Sequence, residues 1–165
     1  MTLVLPSLRA GFYAGLGFAL VLGMYLLWLW QPQRQVRRHT QHLFEAVEKR
    51  NWSRVAEFIA PEFTDQWGDD HARLLERTRE VLRYVRSIRI TASDAWVLTQ
   101  RCRAVWTGKV TVEGEQGEIT AEIKSRVNSL ATPFELEWRR VSTKPWDWKL
   151  VRVSNRSLEI PAEFE

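Results

Sequence analysis

The run Ala10–Trp30, AGFYAGLGFALVLGMYLLWLW, constrains this chain more than any other stretch. It holds no charged residue, and as an α-helix it would extend roughly 30 Å, the thickness of a bilayer's hydrocarbon core. The residues beyond Trp30 are polar enough to fold in water. The sequence therefore reads as a short tail (1–9), a transmembrane helix (10–30), a juxtamembrane linker (31–35) and one water-exposed domain. A cleaved signal peptide is the competing reading. Against it, the run is longer than a usual signal core, and it ends Leu27-Trp28-Leu29-Trp30-Gln31-Pro32 with no small-x-small cleavage site. Trp28 and Trp30, with Tyr13 near the other end, suit the two interfacial aromatic belts.

The expected location is the cell membrane, as a single-pass protein. Arg34, Arg37 and Arg38 come after the span while Arg9 precedes it, so the positive-inside rule places the domain in the cytoplasm. The short N-terminal tail argues the other way, for export of the domain, and the side is left open. Gly11, Gly15, Ala19 and Gly23 recur every fourth residue. Such a stripe lets two helices approach closely and points to a homodimer.

Without the anchor and its flanks about 130 residues remain, enough for one domain with one core. The formal net charge is +4, and much of the excess (Arg34, Arg37, Arg38, Lys49, Arg50, Arg54) lies close behind the span. That placement favours anionic lipid headgroups over nucleic acid as the partner of the basic residues. The single cysteine, Cys102, excludes an intramolecular disulfide or a thiolate-cluster metal site. Its parity with Ala104 and Trp106 predicts a buried core thiol.

Hydrophobic periodicity then orders the domain. Val36, Thr40, Leu43, Phe44 and Val47 share one face of a helix that Asn51 ends. Trp52, Val55, Ala56 and Ile59 form a short second helix stopped by Pro61. After the link PEFTDQWGDD, Asp69 or Asp70 caps a third helix with Leu74, Leu75, Thr78, Val81, Leu82 and Val85 as its apolar stripe. The period then changes to two. Ile88 to Ala92 and Cys102 to Val112 read as strands, and Gly114-Glu115-Gln116-Gly117 as a hairpin turn. Ile119, Ala121, Ile123 and Val127 predict a further strand, and Asn128 to Pro133 a loop. Phe134–Val141 and Trp148–Ser154 are the last strands, with a tail at 155–165. Helices first and an antiparallel sheet afterwards is an α+β order.

This order, with Arg50-Asn51-Trp52 opening the second helix and Ile59-Ala60-Pro61-Glu62-Phe63 and Trp67-Gly68 after it, resembles the nuclear transport factor 2-like superfamily. That superfamily includes SnoaL-like and ketosteroid-isomerase-like proteins. The resemblance covers residues 36–154 and extends to small membrane-anchored bacterial members. It implies a cone-shaped domain of three helices packed on a curved antiparallel sheet of four to six strands, with a pocket at the open end. The shared pattern is one of core positions and a turn, not a catalytic signature. The superfamily hosts enzymes, ligand binders and interaction modules, so the fold does not give the function.

Asp65, Asp69, Asp70 and His71 form the densest polar cluster. A carboxylate beside a histidine suits a general acid/base pair, but aspartates before a helix more often cap it. The resemblance implies that isomerase chemistry would need a base carboxylate and a tyrosine–carboxylic acid pair. The relatives' tyrosine lies on the first helix, where this chain has Phe44 and two histidines, leaving Tyr84 and Asp94. The catalytic candidates are thus Asp65, His71, Tyr84 and Asp94, all weak. His39 and His42 lack a third ligand and read as solvated or interfacial. No P-loop, dinucleotide fingerprint or nucleophile motif occurs, and neither a cofactor nor a metal is expected. Trp67, Trp96, Trp106 and Trp138 either fill the core or line a pocket for a small apolar ligand. Arg103 and Lys109 lie opposite Trp106, which argues against a nucleic-acid stacking platform. The expected function is a membrane-anchored, non-catalytic binding or assembly module that engages a protein or a small apolar ligand. The alternative is a SnoaL-like hydrolase, isomerase or dehydratase acting on a small apolar substrate.

Overall fold

A computed structural model describes residues 8–158 except 86 and 116; most of the expected tails, 1–7 and 159–165, and Gln116 of the expected turn lie outside it. The first element, α1 (Leu8–Leu29), is the apolar helix. Its stretch Gly11–Leu29 is long and apolar enough to cross a membrane, and none of it is buried against the rest of the chain. Pro32, which has no N–H to lose, occupies the first turn of α2 (Pro32–Glu48). The Gln35 side chain donates from Nε2 to the Leu29 carbonyl at 2.8 Å, and the Arg34 guanidinium lies 3.3 Å from the centre of the Trp28 ring. The two helices are thus joined by side chains as well as by backbone.

The α2 helix buries Val36, Thr40 and Leu43 of the predicted face, with Phe44 and Val47 half-buried and Ala46 buried beside them. Its end differs from expectation. Arg50, not Asn51, takes the left-handed conformation, with φ at 53°, while the Asn51 side chain caps α3 (Trp52–Phe58) by accepting from the Arg54 N–H. The Asp70 side chain caps α4 (His71–Arg83) in the same way, through the Arg73 N–H at 2.9 Å.

The described residues include four strands: β1 (Ile88–Gln100), β2 (Arg103–Gly114), β3 (Phe134–Arg140) and β4 (Trp148–Ser154). They form one antiparallel sheet in sequence order, so the domain is α+β with a curved, open sheet. Register shifts at Ser93/Trp96 and at Glu137/Trp138 mark bulges, which bend and twist the strands that carry them. Asp94 sits in the first, at φ 52°. The core lies between α2, α3 and the sheet, and its largest fully buried side chains are Trp106, Trp138, Trp148 and Phe63. The outer edge of β4 is covered by the link after α3, where the Ala60 N–H donates to the Leu150 carbonyl at 2.8 Å.

Further expectations are corrected, among them the hairpin turn at 114–117, since Gly117 instead precedes a helix as its N-cap residue. The segment predicted as a strand through Ile119, Ala121, Ile123 and Val127 is a helix, α5 (Glu118–Asn128), inserted between β2 and β3 and packed on β2. Ile119, Ile123 and Val127 are also four apart, so the same residues fit either period; the helix turns Thr120, Ile123 and Val127 inward. The sequence around Gly114 accommodates it, because a Cβ there would meet Thr120 Cγ2 at 2.8 Å and the Ser87 carbonyl oxygen at 2.6 Å. Cys102 is exposed, not a core thiol. Residues 101 and 102 form the tight turn between β1 and β2, with Gln100 paired to Arg103, so strand parity does not reach the cysteine.

Candidate functional site

The site with the features of a binding groove lies between α2 and the β1 side of the sheet, with a volume of about 570 Å³. Three successive turns of α2 supply Thr40, Phe44 and Glu48, and the facing strands supply Ile90, Ala95 and Trp106. Phe44 meets Trp106 edge to face, ring centres 5.8 Å apart, an arrangement aromatic quadrupoles favour. The indole lies down along β2 because residue 108 is glycine: a Cβ there would stand 2.6 Å from Trp106 Cη2 and 3.1 Å from the Ala95 Cβ. The glycine is required by close approach rather than by its dihedral angles.

Both ends of the groove are fixed by bonds from α2 to the edge strand β1. At one end the Ile90 N–H donates to Glu48 Oε1 at 2.6 Å. At the other, Arg37 donates from Nη2 to the Ala95 carbonyl at 3.3 Å. Two charged side chains of the rim are thus engaged with backbone. Thr40 is different: it is 1% exposed, it lines the groove, and its hydroxyl oxygen has no hydrogen-bond partner. A buried polar atom of this kind calls for an explanation. Its position in the apolar stripe of α2 gave it the look of a core residue, and only its orphaned hydroxyl sets it apart.

The four catalytic candidates do not line this groove. Asp65 is buried in the link, where its Oδ1 accepts from the Trp67 N–H at 2.9 Å and the Asp69 N–H at 2.8 Å. Burial pushes its carboxyl above the ordinary value of 3.8, against the lowering effect of those two donors. Asp69 is ion-paired with Arg77 of α4 at 2.9 Å. His71 lies in the first turn of α4, its Nε2 buried without a partner. Tyr84 ends α4 and is 62% exposed, while Asp94 is exposed on the bulge of β1.

Of the four tryptophans considered as pocket residues, Trp106 lines the groove. Trp138 is wholly buried in the core, and Trp96 is half exposed on β1. Trp67 is half-buried and donates from Nε1 to the Leu158 carbonyl at 3.2 Å. His39 is not solvated: its ring packs against Phe58 and Trp138, with centres 5.8 and 6.0 Å away. That burial holds its imidazole below the ordinary value of 6.5, although the Nδ1 contact to the Gln35 carbonyl at 2.8 Å opposes the shift. Among the described residues no three His, Cys, Asp or Glu side chains are grouped as metal ligands would be.

No family model matches the sequence, and no curated protein matches it. Solved structures do match the fold. Bd1075 of Bdellovibrio bacteriovorus superposes with a TM-score of 0.59 at 8% identity, over 76% of this chain and 41% of that one; this chain thus corresponds to less than half of that protein's length. A nuclear transport factor 2-like protein of Pseudomonas putida gives 0.54 at 9% identity, over 73% and 82% of the two chains. The CaMKII hub of S. rosetta gives 0.52 at 17% identity, over 76% and 97%. The chain has the nuclear transport factor 2-like fold.

Proposed function

We propose that this protein is a single-pass membrane protein whose cone-shaped domain binds a small, largely apolar ligand in the α2–β1 groove without transforming it. The observation that carries this reading is the Thr40 hydroxyl, buried and unpartnered beside an aromatic floor of Phe44 and Trp106. A ligand with an apolar body and one hydrogen-bonding group would satisfy that oxygen while covering the rings. The rim supports binding over catalysis, because Glu48 and Arg37 are already engaged in holding α2 to β1, and Glu45, the other carboxylate of the lining, accepts from Gln41 Nε2 and faces Lys49. A general base must reach the proton it removes, and Asp65, His71, Tyr84 and Asp94 lie off the groove lining.

The anchoring part of the proposal rests on α1, whose exposed apolar surface fits a bilayer. The proposal includes a homodimer formed through α1, which rests on its stripe of small residues: a Cβ added at Gly11, Gly15 or Gly23 would meet nothing within 4 Å, so the surface is open to a second helix.

The groove is tested with the full chain in lipid nanodiscs and the fluorescent apolar anion 1-anilinonaphthalene-8-sulfonate. Ala92 lines the groove and is exposed, so Ala92→Trp fills it from the rim without entering the core. Probe binding that survives this substitution unchanged refutes the groove as the site. C-terminal fusions to reporters active on only one side of the membrane decide whether the domain is cytoplasmic, as the charge rule expects.

A further inference from the structure

The direction in which α2 crosses the sheet decides which end of the domain lies nearest α1. Arg37 meets Ala95, His39 meets Trp138, Phe44 meets Trp106 and Glu48 meets Ile90. The helix therefore starts at the end of the sheet where β1 turns into β2, and runs away from it. The β3–β4 tip is at that end too, for the Arg140 N–H donates to the Cys102 carbonyl at 2.8 Å, and the Val141 N–H closes the second tip on the Asp147 carbonyl at 3.0 Å. Since α2 begins three residues after α1 ends, both hairpin tips share the end of the domain that connectivity holds closest to the apolar helix.

That end has the chemistry of a bilayer interface. Residues 100–103 and 141–147 carry three cations, Arg101, Arg103 and Lys144, against one carboxylate, Asp147. Arg34, Arg37 and Arg38 add three more at the start of α2, with no acid between Pro32 and Arg38. Large apolar side chains are exposed there as well: Val141 at 46%, Trp146 at 51% and, on the strand leading to the first tip, Leu98 at 59%. Exposed tryptophan and aliphatic groups among arginines and lysines suit the headgroup layer, where rings and methyls enter the acyl boundary and cations meet phosphate.

We infer that this end of the domain rests on the bilayer that holds α1, the two hairpin tips making a second, reversible contact with anionic lipid headgroups. This rests on the reading of α1 as a membrane span. Anionic lipid attracts each added cation near the surface, and the covalent tether confines the tips to that surface, so weak contacts suffice. Docking also sets the Arg37 end of the groove towards the headgroups.

The single cysteine allows a direct test, because Cys102 is exposed on the first tip. The full chain, spin-labelled at Cys102, is reconstituted into vesicles of phosphatidylcholine alone or mixed with phosphatidylserine. The control is Glu115→Cys in a Cys102→Ser background, placed at the far end of the sheet. Collision of the label with membrane-soluble oxygen, relative to an aqueous nickel chelate, is expected to be severalfold higher at residue 102 than at 115. The difference should grow with phosphatidylserine and shrink in Arg101→Glu/Lys144→Glu. Equal, fully aqueous labels in protein that resists alkaline extraction overturn the docking while leaving the anchor intact. Protein released by alkali overturns the anchor and the docking together. A label at 102 shielded from both oxygen and chelate means that a protein covers the tip, and also overturns the proposal.

Discussion

The Asn128 side chain takes both backbone groups of Val112, its Oδ1 accepting from the Val112 N–H at 2.8 Å and its Nδ2 donating to the Val112 carbonyl at 3.1 Å. Strand β3 pairs with β2 only from Arg103 to Gly108, so the rest of that β2 edge would be open without α5. One amide at the end of the helix does what a neighbouring strand's backbone would do. Asn128→Ala leaves a donor and an acceptor unpaired in a half-buried position and should cost about 1–3 kcal/mol. Asn128→Asp keeps the acceptor but loses the donor and should cost less. Urea unfolding of the two variants beside the parent checks the order.

The same contact shows where sequence reading stops. The faces of α2 and α4 were legible in outline because Val36, Thr40 and Leu43, or Leu74, Leu75 and Leu82, fit only a helical period; Val81, expected in the same α4 stripe, is 45% exposed. Residue type pointed to a cap at Asp69 or Asp70, and the structure puts it at Asp70. At Ile119, Ile123 and Val127 both periods fit, and the choice of helix is made by packing against β2, which is tertiary. The groove was less legible still. Phe44 and Trp106 belong to elements far apart in the chain, and the orphaned hydroxyl of Thr40 exists only once those elements meet.

Gly108 controls the groove floor, since the Trp106 indole occupies the space a side chain would need. Gly108→Ala forces the ring up from the sheet and should destabilise the domain by about 1–3 kcal/mol, as overpacking does. It should also weaken binding of the apolar probe. Thr40→Val should instead raise stability or leave it unchanged, because it removes an unpaired buried oxygen. Thermal unfolding and a probe titration on each variant separate the two effects.

Among the described residues, His39 and Asp65 make opposite contributions to pH dependence. Burial lowers the His39 imidazole below 6.5, so below that pH the unfolded chain takes a proton that the folded domain refuses. The stability His39 contributes is therefore complete above 6.5 and is lost as pH falls through the folded-state value. Asp65 is raised above 3.8; the folded domain holds its proton to higher pH, and the domain gains stability as pH falls towards that value. His39→Gln should flatten the loss of stability as pH falls below 6.5. Asp65→Asn keeps the oxygen that accepts from Trp67 and Asp69 and should raise stability at neutral pH. Denaturant midpoints across the pH range give both slopes.

The apolar helix offers the last prediction. Gly11, Gly15, Ala19 and Gly23 lie on one side of α1, and Gly17, two positions from Gly15, lies nearly opposite it, because each residue advances the helix by about 100°. Isoleucine at Gly15 holds two backbones apart along the stripe, whereas isoleucine at Gly17 adds bulk where no partner helix sits. In detergent micelles, resonance energy transfer between donor- and acceptor-labelled chains should fall severalfold with Gly15→Ile and stay near the parent value with Gly17→Ile. Neither substitution meets a neighbour inside the chain, since a Cβ at either position has nothing within 4 Å. Equal effects of the two would place association in the water-exposed domain instead.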